Sequence, residues 1–197
     1  KGRPSDKLAP TASRSDGVRI MDRLWAPWRA QYIQESSASP TASTEANADA
    51  KSACFLCQVL SEREDRANLL VQRRAHSMIV LNRYPYNNGH LLIAPLVHVS
   101  RLEDLSGPDL TEPVETMARA IDVLNRLLRP QGYNVGLNLG RAAGAGLPGH
   151  LHWHVVPRWD GDTNFMPILG DTKVIVESLF AFYDRLTDEF SRDHSSQ

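Results

Sequence analysis

Three histidines alternate along one run of the chain, His150-Leu151-His152-Trp153-His154-Val155-Val156. The residues between them are leucine, tryptophan and valine, which suit a β-strand. Successive strand side chains point to opposite faces, so the three imidazoles are expected on one face, about 6.6 Å apart in Cα steps. Near neutral pH an imidazole serves as nucleophile, proton carrier or metal ligand. One histidine alone reads as surface or core filler; three on one rigid element point to chemistry. Directly ahead of them runs Gly140-Arg141-Ala142-Ala143-Gly144-Ala145-Gly146-Leu147-Pro148-Gly149. Such a loop bends its backbone close to a ligand and turns several N–H groups toward one anion. Alone it would read as a tight turn. Beside a nucleophile it suits phosphoryl or nucleotidyl transfer, where charge on the equatorial oxygens must be stabilised.

A metal reading stands beside this one. The two cysteines, Cys54 and Cys57, have C-x-x-C spacing. Two cysteines build no disulfide framework, and this spacing reads as a metal half-site or a redox pair. Alternating histidines also hold zinc or copper. His98 and His150 are candidates for the remaining ligands. If His150 closes the metal site, His152 and His154 are left for chemistry. A reducing, cytoplasmic compartment is the simpler inference from this cysteine usage.

The elements that must position these groups follow from pattern. Ser77 to Leu81 and His90 to Ala94 are apolar runs flanking Pro85 and Gly89, which predicts two strands joined by a loop. Leu110 to Leu128 places Val114, Met117, Ala118, Ile121, Leu124 and Leu128 on one helical stripe, with Pro113 in its first turn and Pro130 past its end. Asn134 to Leu139 reads as a strand leading into the glycine loop. Ser178 to Phe190 reads as a last amphipathic helix, with Leu179, Phe182, Tyr183, Leu186 and Phe190 on one side.

Composition bounds the rest. At 197 residues the chain is long enough for one domain with a real core. A net charge of −1 gives no electrostatic argument for nucleic acid or a membrane surface as partner. No apolar run reaches transmembrane length, and Lys1 to Asp16 is polar with no hydrophobic signal core. Residues 1–20 are expected to form a disordered extension, with Met21 a natural start. Residues 21–50 comprise an aromatic and basic arm and a Ser-, Thr- and Ala-rich flexible loop. The compact domain is expected over 51–197.

The run His150-Leu-His152-Trp-His154-Val-Val resembles the signature of the histidine-triad (HIT) family. Asn82-Arg83-Tyr84-Pro85 through Gly89-His90-Leu91-Leu92-Ile93-Ala94-Pro95 is similar to that family's nucleotide-side segment. Leu24-Trp25-Ala26-Pro27-Trp28-Arg29 and Val156-Pro157-Arg158-Trp159 through Asp162-Thr163-Asn164-Phe165 resemble its bacterial diadenosine tetraphosphate phosphorylase-like branch. The resemblance implies an α+β fold: an antiparallel sheet of about five strands with a long packed helix and a C-terminal helix. It implies that His152 attacks the α-phosphorus of a nucleotide and carries a covalent nucleotidyl group, that His154 supports the phosphate or orients the nucleophile, and that His90 lies beside them. It places Asn82 near the ribose, and Asn138 with the loop around Gly144, Ala145 and Gly146 at the phosphate oxygens. In zinc-bearing members the ligands correspond to Cys54, Cys57, His98 and His150, a structural zinc.

Many members carry a glutamine and a serine or threonine where this chain has Ala145-Gly146-Leu147-Pro148-Gly149. Backbone N–H groups are expected to take over, and Asp162, Thr163 and Asn164 either add polar contacts or form a polar turn. Of the arginines considered for contact with a polyphosphate, Arg141 ranks first and Arg158 second, ahead of Arg29 and Arg83. Trp25 and Trp28 either stack on a base or pack. The resemblance implies a homodimer acting on a nucleotide substrate. The leading function is nucleotidyl transfer from a dinucleoside polyphosphate to phosphate. The alternatives are a hydrolase of nucleoside phosphoramidates or dinucleotides, and a non-catalytic nucleotide- or zinc-binding interaction protein.

Overall fold

A computed structural model of the chain describes residues 53–163, 175 and 177–194. The expected extension, the arm with Trp25, Trp28 and Arg29, and Asn164 and Phe165 lie outside the described residues.

Five strands form one antiparallel sheet in the order β1-β2-β3-β5-β4. They are β1 (Leu70–Arg73), β2 (Ser77–Leu81), β3 (Leu91–Pro95), β4 (Gly132–Leu137) and β5 (Trp153–Arg158). Among the described residues three α-helices accompany them: α1 (Phe55–Ser61), α2 (Gly107–Leu128) and α3 (Leu179–His194). The central strands β2 and β3 are buried along their whole length. That is why both read as unbroken apolar runs and not as alternation. Side chains of one parity, among them Ile79, Leu81, Leu91, Ile93, Trp153 and Val155, pack against Ala120, Val123 and Leu124 of α2 and Phe182, Leu186 and Phe190 of α3. The other parity, Met78, Val80, Leu92 and Ala94, meets Leu56 and Val59 of α1. His154 pairs with Leu92 across the β3–β5 ladder, so it belongs to the α1 side.

The expected fold class is borne out, with differences of detail that have causes. The triad does not lie wholly on a strand. Both ladders of β5 end at Trp153, so only His154 is in the sheet. The backbone before it binds a loop instead, with Leu151 N–H donating to Val99 O at 2.8 Å. α2 starts three residues ahead of the expected Leu110, and Pro113 falls inside the helix while Pro108 occupies its first turn. Its buried face also differs. Pro113, Thr116, Ala120, Val123 and Leu124 face the sheet, whereas Val114 is 48% exposed and Ala118 is exposed too. The reason is a polar pair. Thr116 is fully buried because its hydroxyl lies 2.8 Å from that of Ser77 at the start of β2, and a hydropathy stripe cannot register a hydroxyl that is satisfied internally. β4 begins and ends two residues ahead of Asn134 and Leu139, because its partner β5 runs out at Trp153. α1 and β1 were not expected from the pattern: one is seven residues long, the other four with a register shift between Leu70 and Gln72.

Candidate active site and metal centre

Cys54 caps the N-terminus of α1 and Cys57 lies in its first turn. His98 follows β3, and His150 precedes β5. The fold brings these four together: their ligand atoms all lie within 4.8 Å of one another. Cys57 Sγ is 3.3 Å from His98 Nδ1 and 3.6 Å from His150 Nδ1, and Cys54 Sγ is 3.4 Å from His150 Nδ1. The donor atoms of a tetrahedral zinc, bonded at about 2.0–2.3 Å, stand about 3.3–3.8 Å apart. The three sulfur–nitrogen separations of 3.3, 3.4 and 3.6 Å fall in that range. His150 adds an independent sign. Its Nε2–H donates to Pro95 O at 2.9 Å, which leaves the Nδ1 lone pair facing the sulfurs. Histidines that hold a metal commonly anchor their other ring nitrogen in this way.

His152, His90 and His154 form a second group whose proton positions are set by backbone contacts. His152 Nδ1 lies 2.8 Å from His150 O, so this nitrogen carries the hydrogen and Nε2 keeps its lone pair. The ring is buried, and burial pushes its pKa below the ordinary imidazole value, which keeps it neutral at physiological pH. His90 is fully buried, and its Nδ1 accepts from the Tyr86 N–H at 3.0 Å. In the neutral ring the hydrogen is therefore on Nε2, which donates to His154 Nδ1 at 2.9 Å. His154 in turn carries its hydrogen on Nε2. The Asn138 amide lies 3.3 Å from that nitrogen, and the pair is satisfied when the amide oxygen faces the ring and the NH2 points away. The rings of His152 and His154 meet edge-on with centroids 5.1 Å apart. The resulting surface presents one lone pair, on His152 Nε2, beside hydrogen-bond donors.

Asn82 adjoins this group. Its oxygen accepts the Tyr84 N–H at 3.0 Å, and its amide nitrogen lies 3.2 Å from His90 Nδ1. Gly140 at φ +77° and Gly144 at φ +85° bracket a tight turn over Arg141–Ala143. Only glycine adopts such angles without strain. The N–H groups of Ala143, Gly144 and Ala145 close onto the loop's own carbonyls of Gly140 and Arg141. An anion here must therefore draw on other donors, which narrows the expected role of Gly144 and Ala145 to shaping the turn. An open groove of about 530 Å³ runs between Ser100–Glu103 and Leu139, Gly140 and Pro148.

Arg158 is not available to a polyphosphate in the way the sequence suggests. Asp162 holds its guanidinium through two contacts, at 2.6 and 2.9 Å, and Asn134 accepts a third hydrogen bond from it. Arg83 donates to Ala67 O, while Arg141 is exposed. Asp162 thus forms the polar turn, with Thr163 donating to it. Two residues escaped the sequence reading. Tyr86 orients His90 through its N–H and lays its ring 4.6 Å from His90 and 5.8 Å from His154. Asn87 ties the same loop to Pro157 O and Asp162. Their only sequence signal is position, in the turn just before His90.

Comparison with known proteins agrees with this geometry. A family model described as HIT domain matches residues 63–161. The chain is 41% identical over 172 residues to AP-4-A phosphorylase of Mycobacterium tuberculosis, covering 87% of this chain and 86% of that one. It is 28% identical over 131 residues to adenosine 5'-monophosphoramidase of Saccharomyces cerevisiae, covering 66% and 75% of the two chains. Among solved structures, a Zn-bound histidine triad family protein from Mycobacterium smegmatis superposes with a TM-score of 0.58 at 20% identity, covering 75% of this chain and 99% of that one.

Proposed function

The chain belongs to the HIT domain family, and from that premise we propose that it is a nucleotidyl transferase that cleaves dinucleoside polyphosphates, in the simplest case diadenosine tetraphosphate, with inorganic phosphate as acceptor. The observation that carries this reading is His152: buried, neutral, and hydrogen-bonded at Nδ1 so that Nε2 keeps its lone pair.

In the first step His152 Nε2 forms a bond to the α-phosphorus. The bond from that phosphorus to the bridging oxygen breaks, and its electron pair leaves with ATP. In the second step an oxygen of inorganic phosphate attacks the same phosphorus. The P–N pair returns to His152 and ADP departs. Splitting one displacement into two suits a neutral imidazole, which is both a good nucleophile and a good leaving group. The Asn138 NH2, oriented by the His154 Nε2–H on its amide oxygen, supplies a donor to the phosphate oxygens, aided by main-chain N–H groups around Gly146. Asn82 stands at the ribose. The groove beside Gly140 is of a size that takes small ligands and offers room for the leaving nucleotide.

Cys54, Cys57, His98 and His150 hold zinc. With four nitrogen and sulfur ligands that site is closed, so the ion supplies structure and no open coordination position. The thiol ligands suit a reducing, cytoplasmic setting. The active form is a homodimer. Among the described residues β4 pairs only with β5, and it turns Val135, 44% exposed, to the side of the sheet on which α2 shows Val114.

The test is brief mixing with diadenosine tetraphosphate followed by mass spectrometry of the intact protein. Without phosphate, an adenylyl adduct on His152 is expected. With phosphate, the adduct turns over to ADP. The His152→Ala variant should form no adduct and lose at least about a thousandfold in kcat while keeping its circular dichroism spectrum. AMP in place of ADP beside the released ATP, in excess phosphate, would instead favour the hydrolase reading. Wild-type turnover in His152→Ala would remove the nucleophile assignment.

A further inference from the structure

The hydrogen order that ends at Asn138 begins in the connection between β2 and β3, residues 82–90. His90 Nδ1 accepts from the Tyr86 N–H at 3.0 Å and faces the Asn82 amide nitrogen at 3.2 Å, whose partner oxygen is committed to the Tyr84 N–H. With donors on that nitrogen, the ring hydrogen sits on Nε2. The order then runs through His154 to the Asn138 amide oxygen and leaves the Asn138 NH2 for the phosphate. If the first ring reversed, every later member would reverse with it. His154 would carry its hydrogen on Nδ1, its Nε2 would accept the Asn138 NH2, and the amide oxygen would face the phosphate, an acceptor against an anion.

Asn87 pins the far end of this connection to β5. Its half-buried amide gives one hydrogen to Pro157 O at 3.1 Å and one to Asp162 Oδ2 at 2.8 Å, and its main-chain oxygen accepts the His90 N–H at 3.2 Å. A carbonyl and a carboxylate only accept, so together they demand an NH2 group and fix which way the amide points. Asp162 is itself held by the Arg158 fork and by the Trp159 N–H, and its side chain is 9% exposed.

We propose that Asn87, clasped between Pro157 and Asp162, is a positioning residue for nucleotidyl transfer: it holds the Tyr86 N–H on His90 and so fixes the hydrogen order that turns the Asn138 NH2 to the phosphate. This rests on the functional reading given above, in which Asn138 is a donor to the phosphate oxygens. Of the two donors to His90, only the main-chain one sets the order. The Asn82 amide can turn over with the ring and offer its oxygen, losing no more than its bond to the Tyr84 N–H. The Tyr86 N–H has no second face to offer. Hydrogen bonds weaken steeply as they bend, so a small shift of the turn next to Asn87 removes that donor. The Asn87 side chain acts through Tyr86 and His90 and not on the phosphate.

The experiment uses the full chain, purified without chelator and labelled with 15N-histidine. Nitrogen NMR is recorded without substrate. In the wild type, His90 and His154 should each show one neutral tautomer with the hydrogen on Nε2. In Asn87→Ala both rings should average between tautomers, while His152, anchored elsewhere, keeps its hydrogen on Nδ1 and the Ile93 and Val155 backbone signals stay in place. Turnover of diadenosine tetraphosphate with inorganic phosphate should fall about 10–100-fold in kcat with little change in KM. Asn87→Asp keeps the size but sets an acceptor against Pro157 O and Asp162, so it should lose more than Asn87→Ala. A wild type with the hydrogen of either ring on Nδ1 would overturn the order itself. Wild-type nitrogen signals in both variants, even with a lowered melting temperature, would make Asn87 a structural residue only and overturn the proposal, leaving the functional reading intact. A wild-type chain that makes neither adduct nor product from diadenosine tetraphosphate would overturn that reading, and with it the role of Asn87 in the transfer.

Discussion

At the scale of single residues, the site works by settling proton positions before any substrate arrives. Two main-chain groups do this. The carbonyl of His150 claims the hydrogen of His152, and the N–H of Tyr86 claims the Nδ1 lone pair of His90. Neither depends on side-chain identity, so each is insensitive to rotamer changes around it. Asp162 extends the same economy to the loop behind. Its carboxylate receives Arg158, Asn87 and the Trp159 N–H, and the hydrogen bond from Arg158 holds its pKa well below the usual carboxylate range. A folded-state pKa below the unfolded value of about 3.9 contributes stability above that pH, and this is lost as acid protonates the group. Asp162→Asn should therefore destabilise the protein clearly at pH 7 and much less only near pH 2 or below, where the folded carboxylate begins to take up a proton. Urea denaturation at the two pH values measures the gap. An equal gap at both would mean that the carboxylate's charge plays no part.

At the scale of elements, the connection from β2 to β3 is crowded at one glycine. Gly89 sits at φ +76°, and a Cβ there would stand 2.6 Å from Leu128 Cδ1 and 3.3 Å from Pro157 Cγ. Backbone strain and crowding act together, so Gly89→Ala is expected to cost about 1–3 kcal/mol. Chemical denaturation reads this directly. Since His90 is the next residue, kcat should fall in the same variant even at temperatures where it stays folded. A variant with wild-type stability and rate would show that the turn is more yielding than its geometry indicates. The same scale explains the buried polar seam between β2 and α2. Glu112 accepts from the Ser77 hydroxyl and from the His76 N–H, so the helix is registered on the sheet by hydrogen bonds as well as by Val123 and Leu124.

At the scale of the whole molecule, the sheet has one covered middle and one uncovered edge. β4 shows Asn134, Val135 and Gly136 to solvent among the described residues, and unpaired edges invite pairing with another chain. If two copies join along this edge, light scattering should give twice the chain mass. Val135→Lys should shift the protein to the monomer with little loss of chain stability, because position 135 is already exposed. A wild-type monomer at assay concentration would sink the dimer.

What the sequence determined by itself is the family's motifs and the approximate place of the candidate site. The spacing of His150, His152 and His154, the C-x-x-C pair and the glycine loop are local, covalently set patterns, and the apolar runs of β2 and β3 report burial on both faces directly. Tertiary structure alone decided how the imidazoles divide. His150 turns to the cysteines and His154 to His90 because the ladder ends at Trp153 and the segment after β3 comes alongside. It also decided which face of α2 is inside, through the Ser77–Thr116 pair, and it engaged Arg158 with Asp162 and Asn134. Each of these rests on a contact between residues far apart in the chain or on the end of a strand pairing. Periodicity within one segment carries no information about its partner, so such contacts become visible only once the chain is folded.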